Sequence, residues 1–153
     1  MVLVLLGTQK QQFTRLLDYL ENINLQEEVL IQKGYTIYNG KYNSFTFTNK
    51  LNDLIKKADI VITHGGIGSI MECLEYNKKI IVVPRLKEYN EHVDDHQIES
   101  IKSLEKYIMI ANNENELIVA LKKIKDKNML KYEKNNSFFN KQLEKIIKKI
   151  MKN

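Results

Sequence analysis

The sequence has no tryptophan, one cysteine, one proline and three histidines among its 153 residues. A lone Cys73 excludes an internal disulfide framework and any cysteine-built zinc site, and it reads as a small buried apolar residue. No apolar run approaches the ~20 residues that cross a bilayer. The opening run Met1 to Leu6 is too short for a secretory signal and has no basic segment before it. The expectation is a cytosolic, soluble chain. A hydrophobic fraction of 43% argues against wholesale disorder. The length fits one domain of about 100–200 residues.

What is present is distributed unevenly. From Leu121 onward, 11 lysines face only Asp126, Glu133 and Glu144, whereas the preceding residues carry 13 basic and 16 acidic groups. The body is mildly acidic and the tail strongly basic. Nucleic acid is not an expected partner, because the basic residues are confined to the tail and no reading motif accompanies them.

Apolar patterning alternates between two periods. Val2 to Leu6 is a continuous run of the kind found in strands buried on both faces. Phe13, Leu16, Leu17 and Leu20 then follow a helical stripe. Val29 to Ile31, Tyr35 to Tyr38 and Tyr42 to Thr48 are short strand candidates. Leu51, Leu54, Ile55 and Ala58 mark a helix, Ile60 to Ile62 a strand, and Ile67, Ile70, Met71 and Leu74 a helix. Ile80 to Val83 is a strand stopped by Pro84. A helix over His92 to Ser103, a strand over Tyr107 to Ile110 and a helix around Leu117 to Ile124 complete the series. Strands alternating with helices imply an α/β, doubly wound, mostly parallel sheet, whose ligands bind beyond the carboxyl ends of the strands. The domain is expected over residues 1–125, with a basic amphipathic helical extension over 126–153.

Three loops at those carboxyl ends carry chemistry. In Thr63-His64-Gly65-Gly66-Ile67-Gly68-Ser69 the glycines let the backbone approach a ligand, and the helix that follows presents unpaired N–H groups. A phosphate suits that place, with Ser69 as an added donor and Glu72 one turn on, where it could accept the hydroxyls of a ribose. The other reading is a tight turn with a capping serine and a solvated glutamate. Neither a P-loop nor a full dinucleotide fingerprint is present, so no cofactor is expected. Gly7-Thr8-Gln9 repeats the theme, either as a second diphosphate contact or as an N-cap of the first helix. The polar run from Pro84 and Arg85 to His96 and Gln97 is the third loop. His92 and His96 stand at i and i+4, but nothing completes a ligand set, and no metal is expected.

Together, Ile62-Thr63-His64-Gly65-Gly66-Ile67-Gly68-Ser69-Ile70-Met71-Glu72, Val82-Val83-Pro84-Arg85 and Glu91-His92-Val93-Asp94-Asp95-His96-Gln97 resemble the glycosyltransferase family 28 C-terminal domain over Val2 to about Lys125. The similarity extends to its one-domain members: the eukaryotic UDP-GlcNAc transferase subunits of N-glycan assembly, and PssE-like subunits of bacterial capsule and exopolysaccharide synthesis. The resemblance implies a Rossmann-like domain, the donor-binding C-terminal half of a GT-B glycosyltransferase. It further implies a UDP-sugar donor, a hexose as the group transferred, a lipid-linked sugar acceptor and a separate membrane-associated acceptor-binding subunit that recruits the chain to the membrane. The expected setting is capsular or exopolysaccharide synthesis, the alternative being a non-catalytic UDP-sugar-binding or regulatory partner module. By the same resemblance Gly7 and Thr8 belong to the first phosphate loop and Gly65, Gly66, Ile67, Gly68 and Ser69 to the diphosphate loop. Glu72 would hold the ribose, with Arg85 grouped at the donor site and His96 and Gln97 on the donor sugar. A family glutamine is replaced by His96 here, although the PssE-like members share the His-Gln pair. Family enzymes of this architecture work without a bound divalent metal. Transfer needs a base near the acceptor, for which His64 and His92 are candidates.

The tail places Phe139, Leu143, Ile146, Ile147 and Ile150 on one stripe among lysines. Such a helix can pack on its own sheet, dock on a partner or lie on an anionic membrane.

Overall fold

A computed structural model describes residues 1–93, 96–133 and 137–151. Six strands are described: β1 (Val2–Leu5), β2 (Val29–Gln32), β3 (Asn43–Phe45), β4 (Ile60–Thr63), β5 (Lys79–Val82) and β6 (Met109–Ile110). They form one sheet in the order β3-β2-β1-β4-β5-β6, and every pairing is parallel. The α-helices among the described residues are α1 (Thr14–Asn22), α2 (Leu51–Lys57), α3 (Ile67–Glu75), α4 (His96–Lys102), α5 (Glu114–Ile124) and α6 (Ser137–Ile150).

The continuous apolar runs are explained by burial on both sides. Val2, Val4 and Leu6 face one core with Leu16, Leu17 and Leu20 of α1 and Leu117, Ala120, Leu121 and Ile124 of α5. Leu3 and Leu5 face the other, with Ile55 of α2, Ile70, Cys73 and Leu74 of α3, and Ile101 of α4. The result is three layers, helices on each side of a parallel sheet. Each fully buried Leu or Ile contributes on the order of 1.5–3 kcal/mol. Cys73 is buried, and burial pushes its thiol pKa up to about 12, which leaves it protonated and inert.

The central strands end level. Leu5 pairs with Gln32 on one side and Thr63 on the other, and Thr63 pairs with Val82. The next residues, Leu6, His64 and Val83, therefore start their loops side by side.

Several expectations are corrected here. Tyr35 to Tyr38 is not a strand. Gly34 turns the chain just past β2 with φ of +55°, and the segment is tied instead to the β1–α1 connection. Ile37 N–H donates to Gln12 Oε1 at 2.8 Å, and Phe13 N–H donates to Thr36 Oγ1 at 3.2 Å. Its alternating burial is real, since Thr36 and Tyr38 are buried and Tyr35 and Ile37 exposed, but side chains satisfy the backbone. Gly7-Thr8-Gln9 does not cap α1, which begins at Thr14 with Phe13 in the cap position. The helix expected from His92 starts only at His96, after a 3₁₀ turn at Lys87–Tyr89 that Asn90 ends in the left-handed region, φ +56°.

Of the tail stripe, Leu143 is half-buried and packs with Tyr132 against the second core, whereas Ile147 is exposed. The side chains of Phe139, Ile146 and Ile150 lie outside the described part. Among the described residues no helix is long and apolar enough to cross a membrane.

Candidate functional site

The sheet order reverses between β1 and β4. The chain leaves β1 toward α1 on one face and β4 toward α3 on the other, so their loops open a crevice above the strand ends. Both glycine-containing loops singled out in the sequence line this crevice.

On one side is the entry to α3. Gly66 is the extended N-cap residue, without a side-chain cap, and the first helical bond runs from Ile70 N–H to Gly66 O. The amides of Ile67, Gly68 and Ser69 thus have no partner within the helix. Among the described residues no other group accepts from them, and the first turn carries no acidic side chain. Gly68 is exposed, with open space where a β-carbon would project. Ser69 and Glu72 are half-buried on the same helix, one turn apart, and Gly65 is buried in the turn below. Three bare donors at the positive end of a nine-residue helix form a ready anion site.

Opposite lies the β1 loop. Gly7 has φ of +80°, and its N–H donates to Gln32 Oε1 at 3.1 Å. The Gln32 amide returns the contact, donating to Gly7 O at 3.3 Å and to Thr46 O at 3.1 Å. That occupies the Gly7 amide, so what this loop offers a ligand is the exposed Thr8.

His64 sits between the two loops. It is buried, and a β-carbon added to either Gly7 or Gly66 would overlap its imidazole. Nδ1 lies 3.3 Å from Leu5 O, which can only accept, and 3.4 Å from Thr63 Oγ1. The proton therefore resides on Nδ1 and leaves Nε2 bare. Burial lowers the pKa to about 4, with the charge of Arg85 pushing the same way. The ring is neutral at pH 7. This placement fits a wedge that sets the spacing of two loops better than a proton acceptor open to substrate.

Arg85, expected at the donor site, is placed beneath the crevice. It is 1% exposed. Nη2 donates to Leu6 O at 2.9 Å, and Nη1 to Gln11 O at 2.8 Å and Glu91 O at 3.2 Å, while the guanidinium stacks 4.7 Å from the Phe13 ring centroid. Burial lowers its pKa to about 10, still charged at pH 7, and its buried Nε has no hydrogen-bond partner. Beside it, Arg15 forms a two-pronged pair with Glu91, Nε to Oε1 at 3.0 Å and Nη2 to Oε2 at 2.7 Å. Burial opposes the Arg15 charge, but the Glu91 carboxylate and Tyr19 together outweigh it and raise the pKa. His92 follows, and its Nε2 accepts from the Gln9 side-chain amide at 3.2 Å.

The structure thus brings Gly7, Thr8, His64, Gly65, Gly66, Ile67, Gly68, Ser69 and His92 to one end of the sheet, with Glu72 one turn into α3. His96 and Gln97 open α4, but their side chains, like Asp94 and Asp95, lie outside the described residues. Sequence reasoning missed Gln32, Arg15 and Glu91. A signal existed for two of them: polar Gln32 closes an apolar run, and Arg15 and Arg85 are the only arginines among 24 basic residues. Arginine in a lysine-rich chain points to fork-shaped pairing.

This strand order, with a bare helix N-terminus at its reversal, defines a Rossmann-like α/β domain, and the fold is that of the C-terminal half of a GT-B glycosyltransferase. Residues 1–150 match the glycosyltransferase family 28 C-terminal domain, and the chain belongs to that family. The UDP-N-acetylglucosamine transferase subunit ALG13 of Candida albicans is 35% identical over 86 residues, covering 47% of this chain and 27% of the relative. The Kluyveromyces lactis protein of the same name is 31% identical over 138 residues, 87% of this chain and 61% of the relative. The chain thus spans less than two thirds of either. Among solved structures, the glycotransferase of kitacinnamycin superposes with a TM-score of 0.61 at 15% identity, over 96% of this chain and 38% of the other. The solution structure of ALG13 does so with a TM-score of 0.51 at 21% identity, over 95% and 96%.

These relatives correct one expectation. Capsular or exopolysaccharide synthesis is overturned, because the related sequences are UDP-N-acetylglucosamine transferase subunits, from Homo sapiens as well as from fungi such as Candida albicans. The physical reason is that loops at the carboxyl ends of the strands carry no record of the acceptor or its pathway.

Proposed function

We propose that this chain is the nucleotide-sugar-binding subunit of a UDP-N-acetylglucosamine transferase, completed by a partner chain that provides the acceptor site. The observation that carries the reading is the trio of unpartnered amides at Ile67, Gly68 and Ser69, aimed into the crevice at the sheet reversal. The donor's diphosphate lies against these amides and the Ser69 hydroxyl, with Thr8 approaching from the other loop. Glu72 accepts the ribose hydroxyls. The sugar extends toward the β5–α4 loop and the start of α4, where His96 and Gln97 stand. Arg15 takes up the Glu91 carboxylate, whereas Arg85 binds the backbone carbonyls of Leu6, Gln11 and Glu91, which leaves a net positive charge beneath this crevice that favours an anion above.

Transfer of the sugar breaks the bond from its anomeric carbon to the diphosphate, and negative charge grows on the leaving UDP. Preorganised amides and a helix dipole stabilise that charge without reorganisation. The acceptor hydroxyl must lose a proton, and a buried His64 with a pKa of about 4 is a poor recipient at pH 7. His92 is tied to Gln9. The base therefore comes from the partner, which also holds a lipid-linked acceptor and recruits this chain to the membrane. The names of the relatives, all transferase subunits, support this division of labour.

Amide NMR titration with UDP and UDP-N-acetylglucosamine tests the reading. The amides of Ile67 to Ser69 are expected to shift first, with Ser69→Ala and Glu72→Ala each weakening UDP about tenfold, roughly one charge-assisted hydrogen bond. Unshifted amides at millimolar nucleotide, with both variants like the wild type, would refute it.

A further inference from the structure

The Arg15–Glu91 pair joins segments 76 residues apart, the first turn of α1 and the β5–α4 loop. Its geometry is closed on every side. Glu91 is 3% exposed, and Oε2 also accepts from Leu86 N–H at 3.0 Å, while Glu91 N–H donates to Leu86 O at 3.2 Å. The loop from Leu86 to Glu91 is thereby drawn into a ring. Arg15 holds that ring down: Nη2 also donates to Pro84 O at 2.7 Å and Nη1 to Asn112 O at 3.2 Å, and its guanidinium lies 4.9 Å from the Tyr89 ring centroid. Arg85 completes the clamp from below, binding Leu6 O and Gln11 O of the β1–α1 connection together with Glu91 O. The residue after Glu91 is His92, whose imidazole meets Gln9 on the opposite loop.

A buried ion pair is a weak source of stability, since packed apolar residues of similar volume do as well. What it supplies is a fixed geometry. Here that geometry is the separation of the β1 loop from the β5–α4 loop, the two walls of one side of the crevice. We infer that Arg15 and Glu91 are positioning residues that hold the β5–α4 loop at the distance required by the sugar of the donor, and so set sugar recognition independently of the diphosphate grip on α3. The inference rests on the donor-binding reading above and deepens it. Neither residue touches the donor; both act through the loop that carries His92.

Arg15→Lys keeps the charge and removes the two-pronged fork, and Glu91→Gln keeps the shape and removes the charge. Dissociation constants for UDP and for UDP-N-acetylglucosamine are measured for the full-length wild type and both variants, with thermal unfolding alongside. In both variants UDP affinity is expected within about twofold of wild type, and UDP-N-acetylglucosamine affinity weakened about tenfold, in line with the cost of a sub-ångström misplacement. Equal weakening of both ligands, or of neither, overturns the inference while leaving the donor-binding reading intact. A wild type that binds neither ligand overturns that reading and this inference with it. If both variants fail to fold, hydrogen exchange at the Leu86 amide of the wild type decides. Slower exchange with UDP-N-acetylglucosamine than with UDP supports the inference, and equal exchange overturns it.

Discussion

Two corners of the crevice are built in opposite ways. At the entry to α3, donors are left bare: three amides lack acceptors among the described residues and Gly68 faces open space. At the β5–α4 corner almost every donor is engaged, for Arg15 and Arg85 make seven hydrogen bonds between them and Glu91 answers both. The first corner uses backbone, the second side-chain charge. A ligand is recognised where polar groups remain unsatisfied, and geometry is enforced where they are consumed. Charged residues in a motif are therefore poor guides to ligand contact until their partners are known, and Arg85 is the instance.

The largest expected effect breaks the consumed corner. Glu91→Ala leaves the buried Arg15 guanidinium without its carboxylate and Leu86 N–H without its side-chain acceptor, while the Arg85 bond to the Glu91 carbonyl remains. A loss of about 3–5 kcal/mol is expected, as for other severed buried pairs, read from urea unfolding at pH 7. A loss below about 1 kcal/mol would mean that the corner is dispensable to the fold.

Between the corners stands His64, and its effect is set by pH. Its folded pKa, lowered by burial to about 4, lies below the ordinary 6.5. Above pH 6.5 neither folded nor unfolded imidazole is charged, and its contribution is fully present. As pH falls from 6.5 toward 4 the unfolded chain takes up a proton that the folded ring refuses. Stability then declines by roughly 3 kcal/mol across that window. The comparison is with His64→Gln, in which this part of the pH slope should vanish. A slope identical in both proteins would show that the ring is not buried as described.

How much of this was legible beforehand follows from what each signal encodes. The strand runs were readable because burial on both faces demands unbroken apolar sequence, and a doubly wound parallel sheet followed from alternation with helices; the strand order, and so the reversal between β1 and β4, did not. The Gly65 to Ser69 loop was readable because bare backbone leaves its trace as glycine. Tyr35 to Tyr38 misled because alternation reports which side of a segment is buried, and says nothing of where its amides bond; Gln12 and Thr36 took that part. The Arg15–Glu91 pair was hidden because it joins residues 76 positions apart, and no local pattern reports such a contact. Gly7 was read as a ligand contact, whereas its amide is held by Gln32 across the neighbouring strand.

The smallest expected effect is the sharpest, because two glycines two residues apart should respond with opposite sign. At Gly66 a β-carbon would overlap the His64 ring, which burial prevents from moving aside, so Gly66→Ala should cost on the order of 1–3 kcal/mol. At Gly68 the same methyl meets nothing within 4 Å and replaces the poorest ordinary helix former with the best. Gly68→Ala should therefore stabilise the fold by up to about 1 kcal/mol, raising the unfolding midpoint. The empty space beside Gly68 is also where the proposed diphosphate would lie against the helix amides, so the same variant should bind UDP more weakly while being the more stable protein. Gain of stability with loss of nucleotide separates a vacancy kept for a ligand from one that is incidental. A Gly68→Ala protein that is stabilised and still binds UDP like the wild type would move the diphosphate away from the start of α3.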